Sequence, residues 1–275
     1  MTKFFNLLKK YPIFAAILAV GVAILAIKGI PQDELWVKCI VRILLCGTML
    51  FLLYLISGDK TLSKGNNKTG YVIKSMLGFL IVAAVLGAFS VWTMVKDGGI
   101  DGGFWYRLII VAIMFLFACL FEELCFRAVL NDAIIYQFRK CKGVFVISVI
   151  VTSLVFGAVH IIGSPLTSGL DWLQAIMKTL ASGIMGFALL ILYWKTRNIW
   201  ACGIAHALYD FLTQISLAAG TGASLGAGNY VVQGDKGWIS VATYGVNIVI
   251  GAIFLIIIWK KVGKTIDFKD IRENW

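Results

Sequence analysis

The sequence predicts an all-helical polytopic membrane protein of about eight transmembrane helices, with both termini cytoplasmic and one integral-membrane domain over residues 1–275. Three observations predict it. Apolar residues make up 60% of the chain and charged residues 14%, whereas soluble domains carry about a quarter charged residues. Apolar runs of about 20 residues, the length a helix needs to cross hydrocarbon, recur from one end to the other. Lys and Arg gather in alternate connecting segments, the bias that orients membrane helices.

The first span, residues 11–28, is short and follows Lys3, Lys9 and Lys10. A basic start before an apolar run also suits a signal peptide. No small-residue cleavage site leading into a polar mature start is visible, so the segment reads as a retained anchor. Further spans fall at residues 35–57, 71–95, 104–130, 144–163, 171–194, 199–219 and 239–259. With the N-terminus inside, the inner segments hold Lys60, Lys64 and Lys68, then Arg139, Lys140 and Lys142, then Lys195 and Arg197. The tail adds Lys260, Lys261, Lys264, Lys269 and Arg272. Outer segments hold Lys28, Lys96 and Lys236, diluted by Asp33, Glu34, Asp97, Asp101 and Asp235.

The net charge of +11 therefore has a topological origin, with attraction to anionic lipid as a by-product. Its scatter in short clusters, without a basic or aromatic surface motif, gives no expectation of nucleic-acid binding. The polar stretch 57–70 is too short to fold alone, and the Gly-rich stretch 220–237 reads as an external loop or re-entrant piece. Trp36, Trp92, Trp194, Trp200, Trp238 and Trp259 lie near span ends, where interfacial anchors belong. The six cysteines (39, 46, 119, 125, 141 and 202) lack metal-type spacing and read as buried thiols without a disulfide framework.

The informative departures from this apolar background are charges inside the spans. Both histidines of the chain, His160 and His206, lie there, as do Glu122, Glu123, Arg127 and Asp210. Ionisable groups at membrane depth cost at least about 2.5 kcal/mol each and face a protein interior or a watery cavity. Convergence on one polar site avoids meeting that cost repeatedly without pairing. Glu122 and His160 lie 19 residues to either side of Cys141, hence at one height in an antiparallel hairpin. His206 is about nine residues past Arg197, so its level matches only if the hairpin of residues 131–142 projects roughly 15 Å further.

On the fourth span Glu123 and Arg127 are four apart and can pair, whereas Glu122 is rotated by about 100°. His206 and Asp210 are also four apart, so Asp210 can orient or charge that imidazole, and Phe156 lies one turn before His160.

These residues spell "EELCFR" (122–127), "FGAVH" (156–160) and "HALYD" (206–210), in that order on separate spans. The pattern resembles EExxxR, FxxxH and HxxxN/D of the CAAX protease and bacteriocin-processing family, also called Abi, of intramembrane endopeptidases. The resemblance covers a protease-like core of about residues 104–220. It implies peptide-bond hydrolysis by an activated water, with Glu122 as general base assisted by His160. By the same resemblance His206 and Asp210 stabilise the oxyanion, and Glu123 with Arg127 is a supporting ion pair.

The expected partners are a peptide or protein substrate in the membrane and the lipid bilayer, in a bacterial plasma membrane. No metal or other cofactor is expected. The alternative is zinc, held by His160, His206 and Glu122 or Glu123 with an open position for water. A proton-coupled transporter and a non-catalytic immunity or partner protein are the competing functions; the lack of internal repeats weighs against the transporter.

Overall fold

The computed structural model describes residues 10–29, 34–57, 62, 68–96, 98, 100–219 and 230–274. Among them there are helices and turns but no strands. In chain order they are α1 (Pro12–Gly29), α2 (Leu35–Ser57), α3 (Thr69–Ser75), α4 (Leu77–Lys96), α5 (Phe104–Glu123), a π-helical segment (Leu124–Asn131), α6 (Asp132–Gln137), α7 (Val144–Val159), α8 (Gly169–Thr196), α9 (Ile199–Thr213), α10 (Gly237–Lys261) and α11 (Phe268–Asn274). Short 3₁₀ turns follow α9 at Ile215–Ala218 and α10 at Gly263–Thr265.

Among the described residues, five stretches are long and apolar enough to cross a membrane: Leu35–Tyr54, Leu77–Lys96, Phe104–Gln137, Gly169–Thr196 and Gly237–Thr265. Pro12–Val22 and Val144–Val159 are apolar but shorter. The protein is thus an all-helical integral membrane protein. Much of the polar stretch 57–70 and, in the Gly-rich stretch 220–237, residues 220–229 lie outside the described residues, as do Lys3, Lys9, Asp33, Lys60, Lys64 and Asp97. All six cysteines are free thiols, and Cys141 is the exposed one.

The chain divides into two compact units: Met1–Leu130 with Thr196–Leu225, and Asn131–Lys195 with Gly226–Trp275. In the first, α5 packs against α2 and α9, and α9 also packs against α4. Its apolar core joins Leu35, Met94, Val111, Phe115 and Ala207.

The start of α9 is set locally. Arg197 takes a left-handed φ of 57°, and the Asn198 side chain then accepts from Ala201 N–H at 2.9 Å while donating to Thr69 Oγ1 at 3.0 Å. Asn is a preferred N-cap because its oxygen satisfies an orphan amide of the first turn. Helices α5 and α9 run antiparallel. At one end Arg107 Nε donates to the Ala218 carbonyl at 2.8 Å; at the other, a Cβ on Gly203 would fall on Leu120. Gly87 of α4 allows a second close approach, since a Cβ there would lie 2.5 Å from the carbonyl oxygen of Leu212. Small residues commonly let membrane helices approach to backbone contact.

In the second unit the polar anchor is Asn131, which is fully buried. Its Oδ1 accepts from Ser148 Oγ at 2.7 Å and from Trp194 Nε1 at 3.0 Å, and Tyr193 OH donates to Asp132 Oδ2 at 3.0 Å. Asn131 and residues 133–135, at the start of the polar segment 131–142, are buried within the protein. Trp194 is likewise a buried hydrogen-bond donor rather than an interfacial anchor, whereas Trp36, Trp92, Trp238 and Trp259 are exposed.

The N-terminus of α8 is a capping box: Asp171 accepts from the backbone of Thr167 and Ser168, and Ser168 Oγ accepts from Asp171 N–H at 3.2 Å. Gln174 of α8 holds both backbone groups of Val232, at 3.0 and 2.9 Å, which fixes the chain just before α10. That helix exposes Ile239, Val246, Val249, Ile253 and Ile256. Such a surface suits lipid, because a helix satisfies its own backbone groups.

Two outcomes are expected from this packing. Gly87→Ala pushes α9 away from α4 and lowers stability by about 1–3 kcal/mol, the usual effect of overpacking. Gly47→Ala, where nothing lies within 4 Å, causes no such loss in thermal unfolding of the detergent-purified protein. Asp101 accepts hydrogen bonds from the Arg107 guanidinium and from Gly103 N–H, and these bonds, chiefly the one from Arg107, hold its carboxyl below the ordinary value. A lowered carboxylate pKa stabilises the fold above the unfolded value, and this is lost as pH falls through the folded one. Melting curves from neutral pH downward should therefore show a shallower acid loss in Asp101→Asn.

Candidate active site

Helix α5 ends on Glu122 and Glu123, and the π segment opens at the next residue. Wide i→i+5 turns of this kind are rare and occur mostly at functional places in helices. The Glu123 side chain is 0% exposed and that of Arg127 is 2% exposed, and Arg127 Nε lies 3.2 Å from Glu123 Oε2. A buried charge is tolerated when it is both paired and hydrogen-bonded. The second oxygen of Glu123 meets another helix: His206 Nδ1 lies 3.0 Å from Glu123 Oε1. One carboxylate thus spans an arginine of its own helix and an imidazole of α9.

His206 is buried on α9, two turns beyond the Asn198 cap. Its Nε2 faces Asp210 Oδ2 at 3.7 Å and Glu122 Oε2 at 3.9 Å, both longer than a hydrogen bond. Asp210 Oδ2 accepts from the Cys119 thiol at 3.6 Å. Asp210 stands beside one nitrogen of the ring as its i,i+4 neighbour, and a second carboxylate meets the other nitrogen. The antiparallel pairing of α5 and α9 brings Glu123 against Nδ1, so the carboxylate hydrogen-bonded to the ring comes from the neighbouring helix.

Glu122 differs from Glu123 in its surroundings. Its side chain is 26% exposed, and its Oε2 is buried without a hydrogen-bond partner among the described residues. Glu123 Oε2 likewise has no hydrogen bond but is ion-paired with Arg127 at 3.2 Å, whereas Glu122 Oε2 has only His206 Nε2 at 3.9 Å. Three carboxylates around one imidazole, with Arg127 as the paired guanidinium, can accept a proton, donate one through His206, or hold a cation.

The ligand atoms of Cys119, His206 and Asp210 lie within 4.8 Å of one another. Glu123, a member of the zinc set considered from the sequence, already has one oxygen on His206 and the other on Arg127.

His160 and Phe156 belong to the second unit. His160 caps the C-terminus of α7, and its Nδ1 lies 2.8 Å from the Phe156 carbonyl. A carbonyl can only accept, so Nδ1 carries a proton. The ring packs edge-on against Phe156 at 5.0 Å and beside Tyr230 at 5.7 Å. Lys178 Nζ stands 4.1 Å from the Tyr230 ring centroid.

Two of these neighbours were missed by sequence reasoning. Cys119 is one helical turn before Glu122, an i,i+3 relation that was legible. Tyr230 is distant in sequence from His160 and carried no local signal.

Residues 103–212, which contain all seven motif side chains together with Cys119, match the family model described as Type II CAAX prenyl endopeptidase Rce1-like. No curated protein and no solved structure matches the chain. The match over residues 103–212 agrees with the CAAX protease family that the motifs of the chain resemble.

Proposed function

We propose that the protein is an intramembrane endopeptidase that hydrolyses a peptide bond of a membrane-associated peptide or protein, with Glu122 as general base. The observation that carries this reading is the division of labour between adjacent acids: Glu123 is committed to Arg127 and His206, and Glu122 keeps a buried, unpaired oxygen next to the imidazole.

Glu122 takes a proton from water, and the hydroxide equivalent attacks the scissile carbonyl carbon. His206, held in orientation by Glu123, faces the developing oxyanion with Nε2. Hydrogen-bond donors placed at that position are worth several kcal/mol in acyl transfer. Glu122 then returns its proton to the leaving nitrogen as the C–N bond breaks, giving a carboxylate and an amine. His160 is assigned to assist Glu122 on the strength of its motif. Asp210 stands at the same pole as His206 Nε2 and, being an acceptor when ionised, acts there on the imidazole or on Cys119.

Glu122→Gln is expected to lower cleavage by about 10²–10⁴-fold, the range of general-base catalysis, with membrane abundance and melting temperature unchanged. Comparative peptidomics of membranes carrying the wild type and this variant reads the loss and identifies the substrate. Cleavage at the wild-type rate would remove Glu122 from the role, and substrate flux in liposomes without hydrolysis would mark a transporter instead.

Glu123→Gln removes the carboxylate charge that the buried Arg127 guanidinium and His206 share. Stability should then fall by about 3–5 kcal/mol, visible as a lower melting temperature, together with lost activity. The two adjacent variants therefore separate chemistry from support.

A further inference from the structure

We propose that Lys178 and the Tyr230 ring, beside His160, form a subsite that binds a carboxylate of the peptide substrate. Lys178 is the one charged residue of α8 between Asp171 and Lys195. It stands nine residues past the start of the helix, about 14 Å along its axis, within a stretch long and apolar enough to cross a membrane. An ionisable side chain at that depth is costly, and such residues face the bundle interior and mark substrate or ion paths.

The second unit sets the place of Lys178 by its own packing. Helices α7 and α8 touch through small residues. A Cβ on Gly157 would fall on the Thr179 carbonyl, and one on Gly183 would lie 3.1 Å from the carbonyl oxygen of Ser153. That register brings Lys178, the neighbour of Thr179, to within one turn of the level of His160. The Tyr230 ring joins the two: its centroid is 5.7 Å from that of His160 and 4.1 Å from Lys178 Nζ. Tyr230 is itself tied down, since Tyr244 OH of α10 donates to its carbonyl at 2.7 Å. Two residues later, Gln174 of α8 holds both backbone groups of Val232.

The chemistry of these groups selects an anion. An ammonium has three N–H donors and can rest on an aromatic face while donating to a carboxylate. The ring on one side limits the directions from which an anion can approach. A peptide in the membrane presents two kinds of carboxylate, its C-terminus and the side chains of Asp and Glu. Either loses water on entering an apolar setting, and a paired, hydrogen-bonded cation offsets that loss. For its occupant the subsite rests on the hydrolytic reading, through His160, which belongs to the motif set.

The test uses the full chain in detergent and a set of farnesylated peptides, because the matching family model describes a prenyl endopeptidase. The parent peptide has an internal Asp and a free C-terminus; the others carry Asn, a C-terminal carboxamide, or both. Binding is read on Glu122→Gln protein, and cleavage on protein with Glu122 intact. Loss of the recognised carboxylate should weaken binding and raise KM about 10–100-fold, the worth of a hydrogen bond to a charged group, with kcat unchanged. Whether the terminal or the internal exchange does so identifies the source of the carboxylate. Lys178→Met should bring the acid peptide to the level of its amide and leave the amide peptides unaffected. Lys178→Arg, which keeps the charge, should keep the preference.

Equal binding of acid and amide peptides, absence of binding included, overturns the subsite. A loss in Lys178→Met that falls equally on every peptide marks a structural lysine and overturns it too. If Lys178→Met does not fold, Lys178→Gln takes its place, and the comparison of acid with amide peptides needs neither. An acid preference that depends on Lys178 in a protein that cleaves nothing supports the subsite and counts against the hydrolytic reading. Cleavage without such a preference overturns the subsite and leaves Glu122 in its role.

Discussion

The first unit is organised around the sharing of one buried carboxylate, that of Glu123, between Arg127 and His206. In a dry interior each of these groups is expensive alone and strong when satisfied. Arg127 comes from the same helix, so its pairing costs little ordering. His206 comes from α9, and its bond fixes both the rotation of that helix and the direction in which the ring's second nitrogen looks. Because Glu123 takes these duties, its neighbour Glu122 is left with acceptor capacity. Two identical side chains at adjacent positions thus acquire opposite characters from a rotation of about 100° about the helix axis.

Most of this could be read in the letters, and what could not has physical reasons. Polar residues in a 60% apolar chain are conspicuous, so Glu122, Glu123, Arg127, His206 and Asp210 announced themselves by the cost of their burial. The i,i+4 relation between Glu123 and Arg127 follows from helical geometry and is present. The partner of His206 Nδ1 did not follow, because it depends on the register between two helices distant in sequence. That register brings Gly203 of α9 onto Leu120 of α5, where the informative feature is a missing side chain. The π segment at Leu124–Asn131 also left no trace in the pattern, because all eight of its residues, Arg127 and Asn131 included, are buried, and no periodicity can register a widened turn.

Trp194 shows the same limit from the other direction. A tryptophan near the end of a span is normally an amphipathic anchor at the headgroup level. Here its indole N–H is directed inward, and the reason is Asn131, a residue 63 positions away. Local sequence ranks the side chain correctly as half polar, but only the fold decides whether water or an amide satisfies it.

The amide of Asn131 carries a consequence for how the second unit comes together. Its carbonyl oxygen has two lone pairs, one met by Ser148 from α7 and the other by Trp194 from α8. The first donor arrives with the hairpin in which Asn131 itself lies; the second arrives only when the following long helix docks. Until then a polar atom stays half satisfied in a greasy setting. The newly inserted hairpin is therefore an incomplete assembly, and the arrival of α8 is the step that seals it.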